Sequence, residues 1–167
     1  VIFYSMIIGN TVHFIHLAYP TDIVTDIRNY NHFNPKELNP ILKLAICEDN
    51  PSHYEIIHTI LQKYPPGAFE ITHFTSGDEF LRAAAENGCP YSIVLTDIDL
   101  GSDTVNGISL AEKINHISPD TQIIFISQYL QYATAVYETE HAYFIHKQQM
   151  EKYLPLALRT ACQKLEK

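Results

Sequence analysis

Leu42-Lys43-Leu44-Ala45-Ile46-Cys47-Glu48-Asp49-Asn50-Pro51 runs through apolar residues, stops on two adjacent acids and then offers a helix start. The apolar part reads as a buried strand, and Asn50-Pro51 places a capping side chain and an N1 proline ahead of a helix reaching to Tyr64. Pro65-Pro66-Gly67 ends that helix, and Phe69 to Phe74 reads as a second strand. Ser76 caps a helix to Asn87, with Gly88 as its stop. Ser92 to Thr96 is a third apolar strand, closed by Asp97, and a helix follows from about Ile108 to Ile117. Thr121 to Ile126 predicts a fourth strand, Leu130 to Glu138 a short helix, Ala142 to His146 a fifth strand, and Met150 to Leu165 an amphipathic helix. Strands apolar throughout that alternate with helices imply a parallel sheet covered on both faces, hence a doubly wound α/β domain.

The domain is expected to begin near Ile41. Asn34 to Pro40 holds two prolines and two asparagines in seven residues, a poor helix or strand. Residues 1–40 are then an N-terminal extension of unknown role. Its opening, Val1 to Tyr19, is apolar but broken by Gly9, Asn10, Thr11, His13 and His16, and the first basic residue is Arg28. That pattern has neither the uninterrupted run of a membrane span nor the basic start of a signal peptide. A leader without chemistry of its own is the expectation, with an amphipathic helix or strand as the alternatives.

Composition narrows the function classes. In 167 residues, 19 acids against 11 bases give a formal charge of −8. Phosphate-backbone affinity comes from clustered Lys and Arg, so direct nucleic-acid or anionic-membrane binding by this chain is disfavoured. Cys47, Cys89 and Cys162 form no CxxC pair, which suits a reducing cytoplasm better than a disulfide framework. The nine histidines show no metal-site spacing and are read as surface or packing residues.

Ligands of doubly wound sheets bind at the carboxyl ends of the strands. Glu48-Asp49 follow the first strand, Asp97 ends the third, Ser127 ends the fourth and Lys147 follows the fifth. Carboxylates gathered on one rim repel by about 4 kcal/mol per pair at 4 Å and an effective dielectric near 20. A cation should therefore sit among them, and an all-oxygen cluster suits Mg²⁺, which keeps several waters and accepts phosphate oxygens. A strand-end carboxylate can attack a phosphoryl group while a metal and a lysine neutralise its oxygens, and a serine hydroxyl can hydrogen-bond the product. Taken singly, Glu48 and Asp49 could be helix N-terminal acids, Ser127 a cap and Lys147 a solvated charge. Their joint placement favours the site.

In that order, Ala45-Ile46-Cys47-Glu48-Asp49-Asn50, Ile93-Val94-Leu95-Thr96-Asp97-Ile98, Asn106-Gly107-Ile108, Ile123-Ile124-Phe125-Ile126-Ser127 and Tyr143-Phe144-Ile145-His146-Lys147 resemble the receiver domains of bacterial two-component response regulators. Ile46-Cys47-Glu48-Asp49, Asp97-Ile98-Asp99-Leu100 and Ser127-Gln128-Tyr129-Leu130-Gln131-Tyr132-Ala133 look like the LytTR subfamily, of the accessory gene regulator kind, whose receivers precede a DNA-binding domain. The resemblance implies a flavodoxin-like five-stranded sheet of order 2-1-3-4-5. It further implies that Asp97 is phosphorylated by a sensor histidine kinase, and that Asp49 and Asp97 bind Mg²⁺ with the Asp99 main-chain carbonyl. Glu48 would orient a metal-bound water, Ser127 and Lys147 would read the phosphate, and Phe144 would be the aromatic switch. A cytoplasmic signalling domain rather than an enzyme is implied, with a homodimer through the fourth helix, fifth strand and fifth helix, where Tyr129, Tyr132, Tyr137 and Tyr143 fall.

Two departures stand out. Lys147 is followed by Gln148 where the family usually has a proline, so a trans peptide is expected there. Gly107 lies ten residues after Asp97, a longer loop than the family norm. The chain stops at Lys167, after the last receiver helix, which predicts an output segment missing from it. A stand-alone or phosphorylation-independent interaction module is the alternative. A haloacid-dehalogenase-type phosphatase is disfavoured, because its DxD follows the first strand and Gly101 stands where a threonine or valine is expected.

Overall fold

The computed structural model describes residues 4–8, 11–15, 41–101 and 105–166, and divides the chain into two compact units, Val1–Phe33 and Asn34–Lys167. In the first unit, β1 (Tyr4–Ile8) and β2 (Thr11–Ile15) pair antiparallel, with Ile8 opposite Thr11. Both strands lie within the apolar opening stretch. The predicted break at Asn34 to Pro40 lies outside the described residues.

The second unit carries β3 (Leu42–Cys47), α1 (Pro51–Leu61), β4 (Phe69–Phe74), α2 (Gly77–Asn87), β5 (Ile93–Thr96) and α3 (Gly107–Ile117). It continues with β6 (Gln122–Ser127), β7 (Tyr143–His146) and α4 (Met150–Leu165). The five strands order as β4-β3-β5-β6-β7, all pairs parallel. This is the expected 2-1-3-4-5 sheet of a flavodoxin-like fold.

Strand side chains alternate between the two faces. One set, Ala45, Cys47, Val94, Ile123 and Phe125, joins Phe80 and Ala84 of α2 and Leu110, Ala111 and Ile114 of α3 in a single apolar cluster. The other set, Leu44, Ile46, Leu95, Ile124 and Ile126, is equally buried. It takes the opposite face, where α4 packs on β6, β7 and α1. Burying both faces makes the strands read as unbroken apolar runs, and each large side chain so buried contributes about 1.5–3 kcal/mol.

One element differs from expectation. Residues 130–138 form two 3₁₀ segments, Leu130–Ala133 and Ala135–Glu138, rather than an α-helix. No side chain caps either segment. The stretch is rich in β-branched and aromatic residues of modest helix propensity, and its turns close three residues back, Tyr132 N–H on Tyr129 and Thr139 N–H on Val136. The Thr134 and Thr139 hydroxyls donate to carbonyls three residues earlier, which competes with a continuous α ladder. A further 3₁₀ turn, Lys147–Gln149, joins β7 to α4.

Candidate functional site

Main-chain hydrogen bonds extend the ladder past the ends of β3 and β5, so the acids are held as rigidly as the strands. Glu48 N–H donates to Phe74 O at 3.1 Å and Asp97 N–H to Cys47 O at 2.9 Å. The Glu48 and Asp97 side chains are buried, and Asp49 is exposed. One oxygen of each lies within 4.8 Å of the others. Gly101, at φ +60, makes room for this cluster: a Cβ there would come 2.7 Å from Asp49 Oδ2.

Lys147 enters from the end of β7, itself buried, and donates to Asp97 Oδ2 at 2.5 Å and to Glu48 Oε1 at 3.0 Å. Glu48 Oε2 lies 2.9 Å from the same ammonium, an ion pair outside hydrogen-bond geometry. Asp97 Oδ1 accepts the Asp99 N–H at 3.2 Å. Burial pushes the Asp97 carboxyl above the usual aspartate range; Lys147 pulls it down, and Glu48 pushes it further up. Two buried carboxylates facing one ammonium leave surplus negative charge, which a hard cation would relieve. The all-oxygen donor set fits such an ion.

The other expected residues sit around this centre. Ser127 is fully buried, and its Oγ accepts the Tyr129 N–H at 3.1 Å, so its hydroxyl is engaged in turning the chain out of β6. Phe144, paired with Phe125 across β6 and β7, is half-buried against the apolar cluster. Gly107 packs where a Cβ would overlap the main-chain oxygen of Asp97, and its N–H donates to Ile98 O at 2.9 Å.

Two histidines read as surface or packing residues lie beside this cluster. His53 Nδ1 lies 2.7 Å from Lys147 Nζ and 3.3 Å from Glu48 Oε1. Its place was encoded by the Asn50 cap, whose Oδ1 accepts Ser52 and His53 N–H at 2.9 and 3.4 Å, setting His53 in the first turn of α1 beside the acids. His73 on β4 donates from Nε2 to Glu48 O at 2.8 Å and stacks on Tyr54 with ring centroids 3.9 Å apart. The clue to His73 is register alone, since it pairs with Ile46 two residues before Glu48.

Known proteins give the same picture. The family model for the response regulator receiver domain matches residues 44–159. Accessory gene regulator protein A of Staphylococcus aureus (strain N315) is 32% identical over 124 residues, 71% of this chain and 50% of that protein. The chain thus spans about half the length of that relative. The response regulator receiver protein CpdR of Brucella abortus (strain 2308) is 29% identical over 85 residues, 51% of this chain and 65% of that protein. Among solved structures, the response regulatory domain of mrkE from Klebsiella pneumoniae superposes with a TM-score of 0.65 at 21% identity, covering 75% of this chain and 98% of that one. A receiver domain protein from Clostridium thermocellum gives 0.62 at 20% identity, covering 75% and 97%. The likeness to accessory gene regulators is the one the strand-end motifs imply, and with the matched family model reaching from within β3 into α4, this chain belongs to the response regulator receiver domains of two-component signalling.

Proposed function

We propose that residues 41–167 are a phosphoacceptor receiver in which Asp97 takes a phosphoryl group from a sensor histidine kinase. A carboxylate oxygen of Asp97 attacks phosphorus, the phosphorus–nitrogen bond of the donor phosphohistidine breaks, and the imidazole leaves with the bonding electrons. The supporting observation is the contact of Lys147 Nζ with Asp97 Oδ2 at 2.5 Å inside the Glu48, Asp49 and Asp97 cluster. Glu48, Asp49 and Asp97 with the Asp99 carbonyl are the residues that would hold Mg²⁺. When bound, that ion neutralises charge on the phosphoryl oxygens.

Lys147 then pairs with one phosphate oxygen and Ser127 with another, once its hydroxyl leaves the Tyr129 N–H. In this reading Phe144, paired with Phe125 two residues before Ser127, follows that movement. Moving a two-state equilibrium from 1:99 to 99:1 takes about 5.5 kcal/mol of differential interaction, which charge-assisted contacts from these two residues supply. The response is read by a LytTR-type DNA-binding output in the cytoplasm. Among the described residues no helix is long and apolar enough to cross a membrane. A homodimer through residues 130–138, β7 and α4 suits this role, and Tyr132, exposed and edge-on to Tyr129 at 5.9 Å, lies on that face.

Intact mass after incubation with Mg²⁺ and acetyl phosphate, beside Asp97→Asn, tests the reading. One phosphoryl group, dependent on Mg²⁺ and lost in the variant, is the expected result. No adduct together with no binding of beryllofluoride overturns it.

A further inference from the structure

The Lys147 ammonium has three protons and meets three side chains: Asp97, Glu48 and His53. Two of the three are carboxylates that belong to the metal cluster. The third is an imidazole. At 2.7 Å from an ammonium, Nδ1 must present its lone pair, because an N–H there would oppose the lysine's own protons. That contact assigns the ring proton to Nε2, and Lys147 Nζ, Glu48 Oε1 and His53 Nδ1 form a close triangle, the last two 3.3 Å apart.

We infer that His53 is a positioning residue for Lys147: its Nδ1 lone pair aims the ammonium at the phosphoryl oxygens when the two carboxylates are drawn toward a cation and the incoming group. This rests on the reading of Asp97 as phosphoacceptor. A neutral acceptor suits the task because it orients the ammonium without cancelling the charge that the phosphoryl group needs, whereas a third carboxylate would compete with phosphate for the lysine. The surroundings agree with that role. His53 is 29% exposed at the wall of an open cleft of about 510 Å³, which it shares with Lys147, Gln148, Gln128 and His146. His146 is occupied by its own contact to Gln128 O at 3.1 Å, leaving His53 as the cleft histidine turned to the lysine.

Side-chain isosteres test the claim. The amide oxygen of asparagine can stand where Nδ1 stands, whereas that of glutamine stands where Nε2 does. With acetyl phosphate and Mg²⁺ both saturating, His53→Ala should slow Asp97 phosphorylation about tenfold, the scale of a misaimed catalytic group. His53→Asn should restore the rate to within about twofold, and His53→Gln should not. Calorimetric Mg²⁺ affinity should change less than about twofold in all three, separating aim from metal binding. Nitrogen chemical shifts of the wild-type imidazole should show Nδ1 unprotonated. An alanine variant at wild-type rate, an asparagine variant as slow as alanine, a loss of Mg²⁺ affinity in step with the rate, or a protonated Nδ1 each overturns the inference. A wild-type chain that takes no phosphoryl group overturns the receiver reading itself, and is told apart from a phosphorylated chain indifferent to His53.

Discussion

Lys147 Nζ lies 2.5 Å from Asp97 Oδ2, a contact across fifty residues of chain between the ends of two strands. The lysine does not fully offset the burial of Asp97, whose carboxyl is pushed above its ordinary range by desolvation. A carboxyl raised on folding holds its proton more tightly in the folded state. Stability therefore falls as pH rises from the ordinary aspartate value of about 3.9 through the higher folded value, and stays lower above it. Asp97→Asn removes that penalty. In Mg²⁺-free buffer the variant should melt a few degrees above wild type at pH 7, with the gap closing toward pH 4. Adding Mg²⁺ should raise the wild type more than the variant. Thermal unfolding at several pH values checks both parts.

Gly107 opens α3 directly against Asp97, and a Cβ there would collide with main-chain atoms of Asp97 and Ile98 rather than with a movable side chain. Gly107→Ala should therefore cost about 3 kcal/mol, at the upper end of overpacking. It should also displace the phosphoacceptor itself. Denaturant unfolding reads the first effect, and phosphorylation of whatever folded fraction persists reads the second.

The strands were legible because burial on both faces leaves uninterrupted apolar runs, as at Ile93 to Thr96, and the acids that end them are visible as breaks in those runs. That alone placed Glu48, Asp49, Asp97 and Lys147 on one rim. Residues 130–138 were not legible as 3₁₀ turns, since the choice between closure three or four residues back depends on threonine hydroxyls competing for carbonyls. His53 escaped for a different reason: its role depends on a long lysine reaching back across the sheet from β7, a contact with no local pattern. His73 likewise acts through one main-chain oxygen, that of Glu48, and strand register alone brings it there.

Gly101 offers a way to separate metal binding from folding. Its φ of +60 is a left-handed conformation, and a Cβ would come 2.7 Å from Asp49 Oδ2. Alanine at a left-handed position costs about 1–2 kcal/mol. Asp49 is exposed and can swing away, so the collision should be relieved at the expense of the cluster rather than of the fold. Gly101→Ala should keep the chain folded and weaken Mg²⁺ binding about tenfold, equivalent to about 1.4 kcal/mol. Calorimetric titration decides it; an unchanged affinity would mean that Asp49 does not contribute to the site.

Glu79 lies at the start of α2, where Ser76 Oγ accepts its N–H at 3.2 Å and its own Oε2 accepts the Thr75 N–H at 2.8 Å and hydroxyl at 3.0 Å. The main-chain bond from Thr75, then its hydroxyl, holds the Glu79 carboxyl below the ordinary glutamate range. A carboxyl lowered on folding contributes stability above its unfolded value of about 4.3, and that contribution is lost as pH falls through the lower folded value. The carboxylate is largely solvated, so screening keeps the contribution near 0.5 kcal/mol, roughly that of a modest cap. Glu79→Ala should lose it at pH 7, and Glu79→Gln, which keeps an acceptor for the Thr75 N–H, should lose less. As pH drops below 4 the wild type should converge on Glu79→Gln, because its side chain is then a neutral acceptor too, and the gap to Glu79→Ala should narrow. Urea unfolding at pH 7 and pH 3 measures the gap, and a difference that persists undiminished at low pH would place the effect in helix propensity instead of in the charge-assisted bond to Thr75.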